Sequence, residues 1–286
     1  MILLVLMLML QPTLTEQIRQ LVHTSLVTED GKKERAARAE AQRIFREHGL
    51  LTIAQVGDEA SYGLVWLTCS PQVSVLAKQA ALRHEVPADA AVWCEAHLRQ
   101  EKVKGEADKQ PPQNTTLRDR IMAIYGPDQA VRQKEGDVAA MLKTDAANKA
   151  ELEAIFAQYG VPGYAMVGSE AASAFVVMVQ HQAPEFRVKV LPKLKANVEA
   201  GQADPGSYAM VCDRAHNDVG GKQLYGENFT CDAANPKLHP WPIEDEAHVD
   251  DRRAQLGLMR LSFYAQGIVE NGQAACKALA AAAGNR

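Results

Sequence analysis

The feature that most limits the fold is a tract that the chain carries twice. Ile44-Phe45-Arg46-Glu47-His48-Gly49 resembles Ile155-Phe156-Ala157-Gln158-Tyr159-Gly160. The match continues without a gap through Ala54 and Ala165, Val56-Gly57 and Val167-Gly168, Glu59-Ala60 and Glu170-Ala171, and Val65 and Val176. After a short length difference, Ala91-Val92-Trp93-Cys94-Glu95 lies against Ala209-Met210-Val211-Cys212-Asp213. Self-similarity at a fixed period marks a repeated supersecondary unit, so an ancient duplication is expected. The 286 residues allow one large domain or two modest ones.

Periodicity makes both copies mainly α. Leu152, Ile155, Phe156 and Tyr159 recur at helical spacing, with Thr144 or Asp145 as cap and Gly160 and Pro162 as the stop. Residues Ser169 to His181 are apolar nearly all round, which predicts a central helix. Pro184 and Asp204-Pro205 start two more helices. The pattern then changes: Val219-Gly220-Gly221-Lys222 is a turn, and the tract 223–243 predicts a small β-hairpin or extended pair. Asp245 is placed to cap a helix from Glu246 to Leu256, closed by Gly257. The expected layout is a possible signal segment at 1–13, a degenerate helical copy at 14–103 and a polar, Pro-Pro-interrupted linker at 104–116. The second unit follows at 117–264, then an Ala-rich helix at 265–286.

Composition narrows the partners. A net charge of −4 lacks the basic excess that phosphate backbones require, so no nucleic acid is expected. Met1 to Leu10 is unbroken Ile, Leu, Val and Met, too short for a stable membrane span but matching the apolar centre of a secretory signal. No Lys or Arg precedes it and no small-x-small cleavage site follows; a packed first helix is the alternative. A periplasmic or secreted protein is the expectation, and a cytoplasmic one the alternative. The five cysteines form no C-x-x-C pair and no zinc spacing. Cys69, Cys94 and Cys212 lie in apolar stretches and read as packed thiols; in an exported protein, Cys212 with Cys231 is the nearest pair in sequence.

Chemistry-bearing residues concentrate in the second copy. Gln180-His181 ends the most apolar helix, where the first copy has Cys69-Ser70. An imidazole there suits a general base, or only a helix-end donor to free carbonyls. Asp213-Arg214 follows an apolar run, and such charges need partners or a wet pocket. Asp128 and Arg132 share a helical face, for which a surface salt bridge suffices. Asp245, Arg252 and Arg253 cluster on or beside one short helix. His239, Glu244, Asp245 and His248 fit no zinc spacing, so no metal and no cofactor are expected. G-x-S-x-G, H-E-x-x-H, G-x-x-x-x-G-K-[ST] and G-x-G-x-x-G are all missing from the chain.

Taken in order, these second-half pieces resemble the bacterial family catalogued as domain of unknown function 6624. They are Asp128-Gln129 with Arg132; Asp145 and Asn148 before Ile155-Phe156; Tyr159-Gly160 with Pro162 and Val167-Gly168; Gln180-His181; Asp213-Arg214; Gln223-Leu224-Tyr225-Gly226; and Pro242-Ile243-Glu244-Asp245 leading to Val249-Asp250, Arg252-Arg253 and Gly257-Leu258. The resemblance covers about Leu117 to Tyr264. It implies that Gln180, His181, Asp213, Arg214, Gln223 and Tyr225 converge in one pocket, but it implies no chemistry. Three functions follow as expectations. The first is a binding module for a small polar or anionic ligand or a protein partner, gripped by Arg214, Arg252 and Arg253. The second is a hydrolase-type enzyme with His181 as base, oriented by Asp213 or Asp245. The third is a structural or inhibitory protein without a pocket.

Overall fold

The computed structural model describes residues 12–133, 137–231 and 236–284. The Met1–Leu10 run lies outside them. The fold is mainly α with one small hairpin. The first run of helices is α1 (Leu14–Val27), α2 (Gly31–His48), α3 (Ile53–Val56), α4 (Asp58–Thr68), α5 (Pro71–Leu82) and α6 (Ala88–Ala107). The second is α7 (Thr115–Arg132), α8 (Val138–Tyr159), α9 (Tyr164–Val167), α10 (Ser169–Gln180), α11 (Pro184–Glu199) and α12 (Pro205–Asp218). Strands β1 (Phe229–Cys231) and β2 (Leu238–Pro240) pair next, and α13 (Val249–Gln255) and α14 (Leu261–Gly284) end the chain. No helix among the described residues is long and apolar enough to cross a membrane.

Local chemistry sets the helix ends. Thr13 and Glu16 form a capping box on α1, Ser70 caps α5 ahead of Pro71, and Asp204 caps α12 ahead of Pro205. The likeness between the two runs extends to the backbone. Gly49 and Gly160 stop α2 and α8 with φ of 72° and 71°, and Gly57 and Gly168 open α4 and α10 with φ of 83° and 82°. A side chain would strain each of these four turns. Between the glycines, α3 and α9 are both four residues long.

Three sequence expectations change. Helix α8 starts at Val138 under an Asp137 cap, so Asp145 lies inside the helix and is not a cap. The charged stretch after Lys102 stays helical to Ala107, because Lys, Glu and Ala are good helix formers, and a new helix starts only after Pro111-Pro112. Asp245 caps nothing: its backbone is left-handed with φ of 44°, a 3₁₀ turn at Glu246–His248 precedes α13, and its carboxylate faces the His248 ring at 2.9 Å.

The chain forms two compact units. One holds the described residues up to Leu98, those between Cys231 and His239, and those from Arg253 onward; the other holds Arg99–Thr230 and Pro240–Arg252. The return of the C-terminal segment to the first unit has a physical cause. Phe263 sets its edge on Tyr62 and Trp66 at 5.1 and 6.0 Å. Arg260 binds Asp89 through two bonds of 2.6 and 2.8 Å, pairs with Asp58, and lies 4.4 Å over the Tyr62 ring. Gly257 allows the turn into this segment, since a Cβ there would meet the His97 amide nitrogen at 3.1 Å. In the second unit α10 is central, with Phe175, Met178 and Val179 fully enclosed.

The cysteines correct the sequence reading. Cys69 is bonded to Cys94 and Cys231 to Cys276, while Cys212 is free and buried. The Cys212–Cys231 pairing, the nearest in sequence, therefore does not occur; Cys69 and Cys94 are not packed thiols, whereas Cys212 is. Each bridge joins backbones 5.7 and 5.5 Å apart, within the range a disulfide spans. Replacing Cys69 and Cys94 together by Ala is expected to lower stability by about 2–4 kcal/mol. Urea unfolding checks this; an unchanged midpoint would show that the bridge does not stabilise the unit.

Candidate functional site

Three helices of the second unit bring together residues far apart in sequence. Helix α7 supplies Asp128, Gln129 and Arg132, α8 supplies Asp145 and Asn148, and the end of α10 supplies His181. His181 is the C-cap residue of α10, and its ring turns to Asp128, with Nδ1 3.3 Å from Oδ2 and 3.4 Å from Oδ1. Asp128 also accepts Gln129 Nε2 at 2.7 Å, Arg132 at 3.0 Å and Asn148 Nδ2 at 3.3 Å. Arg132 pairs through its other nitrogen with Asp145. Gln182 Nε2 reaches the Asp145 carbonyl at 3.2 Å.

Exposure divides this cluster into two layers. Asp128 is 0% exposed, whereas His181, Asp145 and Arg132 keep 17–19% of their side chains in solvent. A wet edge thus stands on a buried anion. Burial alone would raise the Asp128 pKa. The hydrogen bond and charge of His181, with Gln129 and Arg132, outweigh it and hold the carboxyl below its ordinary range. Below the cluster, the buried Arg187 fixes the turn after α10. It donates to the Gln180 carbonyl at 3.0 Å, contacts the Gln182 carbonyl, and pairs with Asp218 at 2.5 Å.

A second network has a different character. Asp213, 0% exposed on α12, accepts the main-chain N–H groups of Leu224 at 2.7 Å, Tyr225 at 3.0 Å and Glu227 at 2.9 Å. Burial pushes its carboxyl up, and those N–H groups oppose the shift. Gln223 Nε2 donates to the carbonyls of Asn228 and Trp241, and its Oε1 accepts the Asn228 N–H. Arg252 donates to the carbonyls of Leu224, Glu244 and Asp245. These side chains serve the backbone and tie loop to helix. Tyr225 packs its ring on Tyr208 at 6.0 Å.

The residues expected in one pocket therefore divide. His181 meets Asp128, which Arg132 also bonds, while the buried Gln180 offers its main-chain carbonyl to Arg187. Asp213, Gln223, Tyr225, Asp245 and Arg252 form the loop network, and the acid facing His181 is Asp128, not Asp213 or Asp245. Arg214 is exposed. Arg253 belongs to the first unit, donating to the Met259 carbonyl at 2.6 Å and lying 4.8 Å over Tyr264. The Asp128–Arg132 pair is no surface bridge. Asp145, Asn148 and Arg187 were not expected as site residues, although the three-residue spacing of Asp145 and Asn148 on one helix face was a usable sign. One oxygen each of Asp128 and Asp145 and a His181 nitrogen lie within 4.8 Å of one another, a donor set that suits a divalent cation. This differs from the His239, Glu244, Asp245 and His248 set weighed from sequence. Arg132 already bonds both carboxylates, so these residues are satisfied by a side-chain cation.

The class of protein is thus a mainly helical domain with a His–Asp centre where three helices meet. The chain belongs to the family of unknown function DUF6624, which matches residues 115–274. No curated protein matches it, and no solved structure does.

Proposed function

We propose that the protein is an exported enzyme of hydrolytic type, with His181 as general base and Asp128 as the residue that orients it. The carrying observation is the His181 Nδ1 contact with a buried carboxylate at 3.3 Å while the ring stays partly in solvent. A carboxylate at Nδ1 favours the tautomer whose Nε2 lone pair is free, and it stabilises the imidazolium that forms when Nε2 takes a proton from water. The water oxygen attacks the carbonyl carbon of an ester or amide, the bond from that carbon to the leaving oxygen or nitrogen breaks, and the imidazolium returns its proton to the leaving group. Arg132 and Asp145 flank the imidazole and suit a polar substrate. With neutral His181, the group of Asp128, Asp145 and Arg132 carries one net negative charge, which favours a polar or cationic substrate over an anion at this place. Two disulfides support an oxidising compartment, periplasmic or extracellular.

The test is a panel of chromogenic esters and anilides. His181→Ala is expected to reduce turnover of the best substrate by about 10²–10⁴-fold in a variant that keeps its helical content and cooperative unfolding. Equal turnover by the variant, or none by the parent on any member, would remove the hydrolytic reading. A pure binding module for a polar or cationic ligand is the second reading, favoured by the partly wet edge of Asp145 and His181 over the buried Asp128.

A further inference from the structure

The second unit holds a cavity of about 430 Å³ at the C-terminal end of α8 and along α11, lined in part by Phe156, Tyr159, Gly160, Lys189, Lys193 and Asn197. Phe156 follows Asp145 by eleven positions on α8, which places it about 16 Å further along the helix axis, away from the His181 centre. The volume lies within the range of small-molecule sites, roughly 300–1,000 Å³.

The lining has one sign of charge. Lys189 and Lys193 stand one turn apart on α11, and no Asp or Glu borders the cavity. Two other helical lysines of the unit do have acidic partners, Lys149 in Glu153 and Lys195 in Glu199. Neither Lys189 nor Lys193 has an ion pair among the described residues, so two like charges at this spacing repel until an anion joins them. The rest of the wall is flat and held in place. The Lys189 ammonium lies 5.7 Å from the Phe156 ring centre, and Phe156 is fixed edge-on against Phe186 at 5.8 Å. Asn197 Nδ2 donates to the Val161 carbonyl at 2.9 Å and so fixes the loop after the left-handed Gly160.

We infer that this cavity is a binding site for a small aromatic anion. The anionic group is held between Lys189 and Lys193, and the ring lies against Phe156 and Tyr159. Two nitrogen donors on flexible stems suit a phosphate or carboxylate as a point charge, and the aromatic wall selects against the bare ion.

Calorimetric titration of the whole chain at low salt with phenyl phosphate, benzoate and inorganic phosphate tests this. Saturable binding of phenyl phosphate or benzoate is expected, the tighter of the two identifying the anion, with inorganic phosphate at least tenfold weaker than phenyl phosphate. Lys193→Ala and Lys189→Ala should each weaken the better ligand about tenfold. His181→Ala should bind it with unchanged affinity, which separates this site from the proposed hydrolytic one. Absence of saturation by either aromatic ligand overturns the inference. So does equal binding of inorganic and phenyl phosphate, or full affinity in both lysine variants.

Discussion

Asp213→Ala is expected to destabilise the protein by about 3–5 kcal/mol, the range seen when one partner of a buried charged contact is removed. The carboxylate is fully enclosed, and three N–H groups of one loop, from Leu224, Tyr225 and Glu227, point at it. Truncation leaves those donors with no acceptor, and each unsatisfied buried group costs about 1–3 kcal/mol. Asn is expected to rescue little, because its amide nitrogen would face an N–H where an oxygen now accepts. Urea unfolding measures the loss, and hydrogen exchange locates it, with protection falling first at 224–227. Arg214→Ala next door should change stability by less than about 0.5 kcal/mol, since that side chain is exposed. An Asp213→Asn protein as stable as the parent would show that the loop is held by something else.

Asp213 also shows where sequence reasoning stops. A charge after Ala209-Met210-Val211-Cys212 signalled a buried acid with a task, and that much could be read. The task depended on a loop eleven residues later folding back with its amides aligned, which no spacing rule states. His181 is the converse. Its place at the end of the most apolar helix predicted a central position, but the acid it meets lies 53 residues away on another helix. Asp128 and Arg132 at four-residue spacing fit a surface bridge equally well, and only burial distinguishes the two. Asp145 looked like a cap because helix α8 was expected to start later than Val138. The Asp204 cap and the Gly160 stop were legible because they act within a turn of where they stand, whereas the expected Asp145 and Asp245 caps failed with the helix starts they assumed. Disulfide pairing was not, because it follows backbone proximity: Cys231 passes over Cys212, the nearest in sequence, for Cys276 at a separation of 45.

The resemblance between the two helical runs stops at the polar cluster. At matching offsets the first has Ala37 for Asn148, Cys69 for Gln180 and Ser70 for His181. Ala37 is packed, Cys69 is spent in a disulfide, and Ser70 caps α5 by accepting from Val73. Ala37, Cys69 and Ser70 thus serve packing, a disulfide and a cap, whereas Asn148 and His181 bond Asp128.

The pH dependence of Asp128→Asn tests that cluster directly. The Asp128 pKa is held below its ordinary value in the fold, so deprotonation favours the native state. This contribution is present at pH above the unfolded-state value, about 4, and is lost as pH falls through the lower folded value. Asparagine retains an oxygen for one or two of the four donors but has no charge for His181 or Arg132. At pH 7 the variant should be less stable by about 2–4 kcal/mol, given that hydrogen bonds to charged groups contribute about 1.5–3 kcal/mol each and only some are lost. The gap should then narrow as the parent is titrated below pH 4, since the parent loses what the variant never had. Urea unfolding of both proteins at pH 7 and pH 3 gives the two differences. A gap that stays constant with pH would mean that the Asp128 charge does not stabilise the folded cluster, and Asp128 could not then act as the anion supporting an imidazolium at His181.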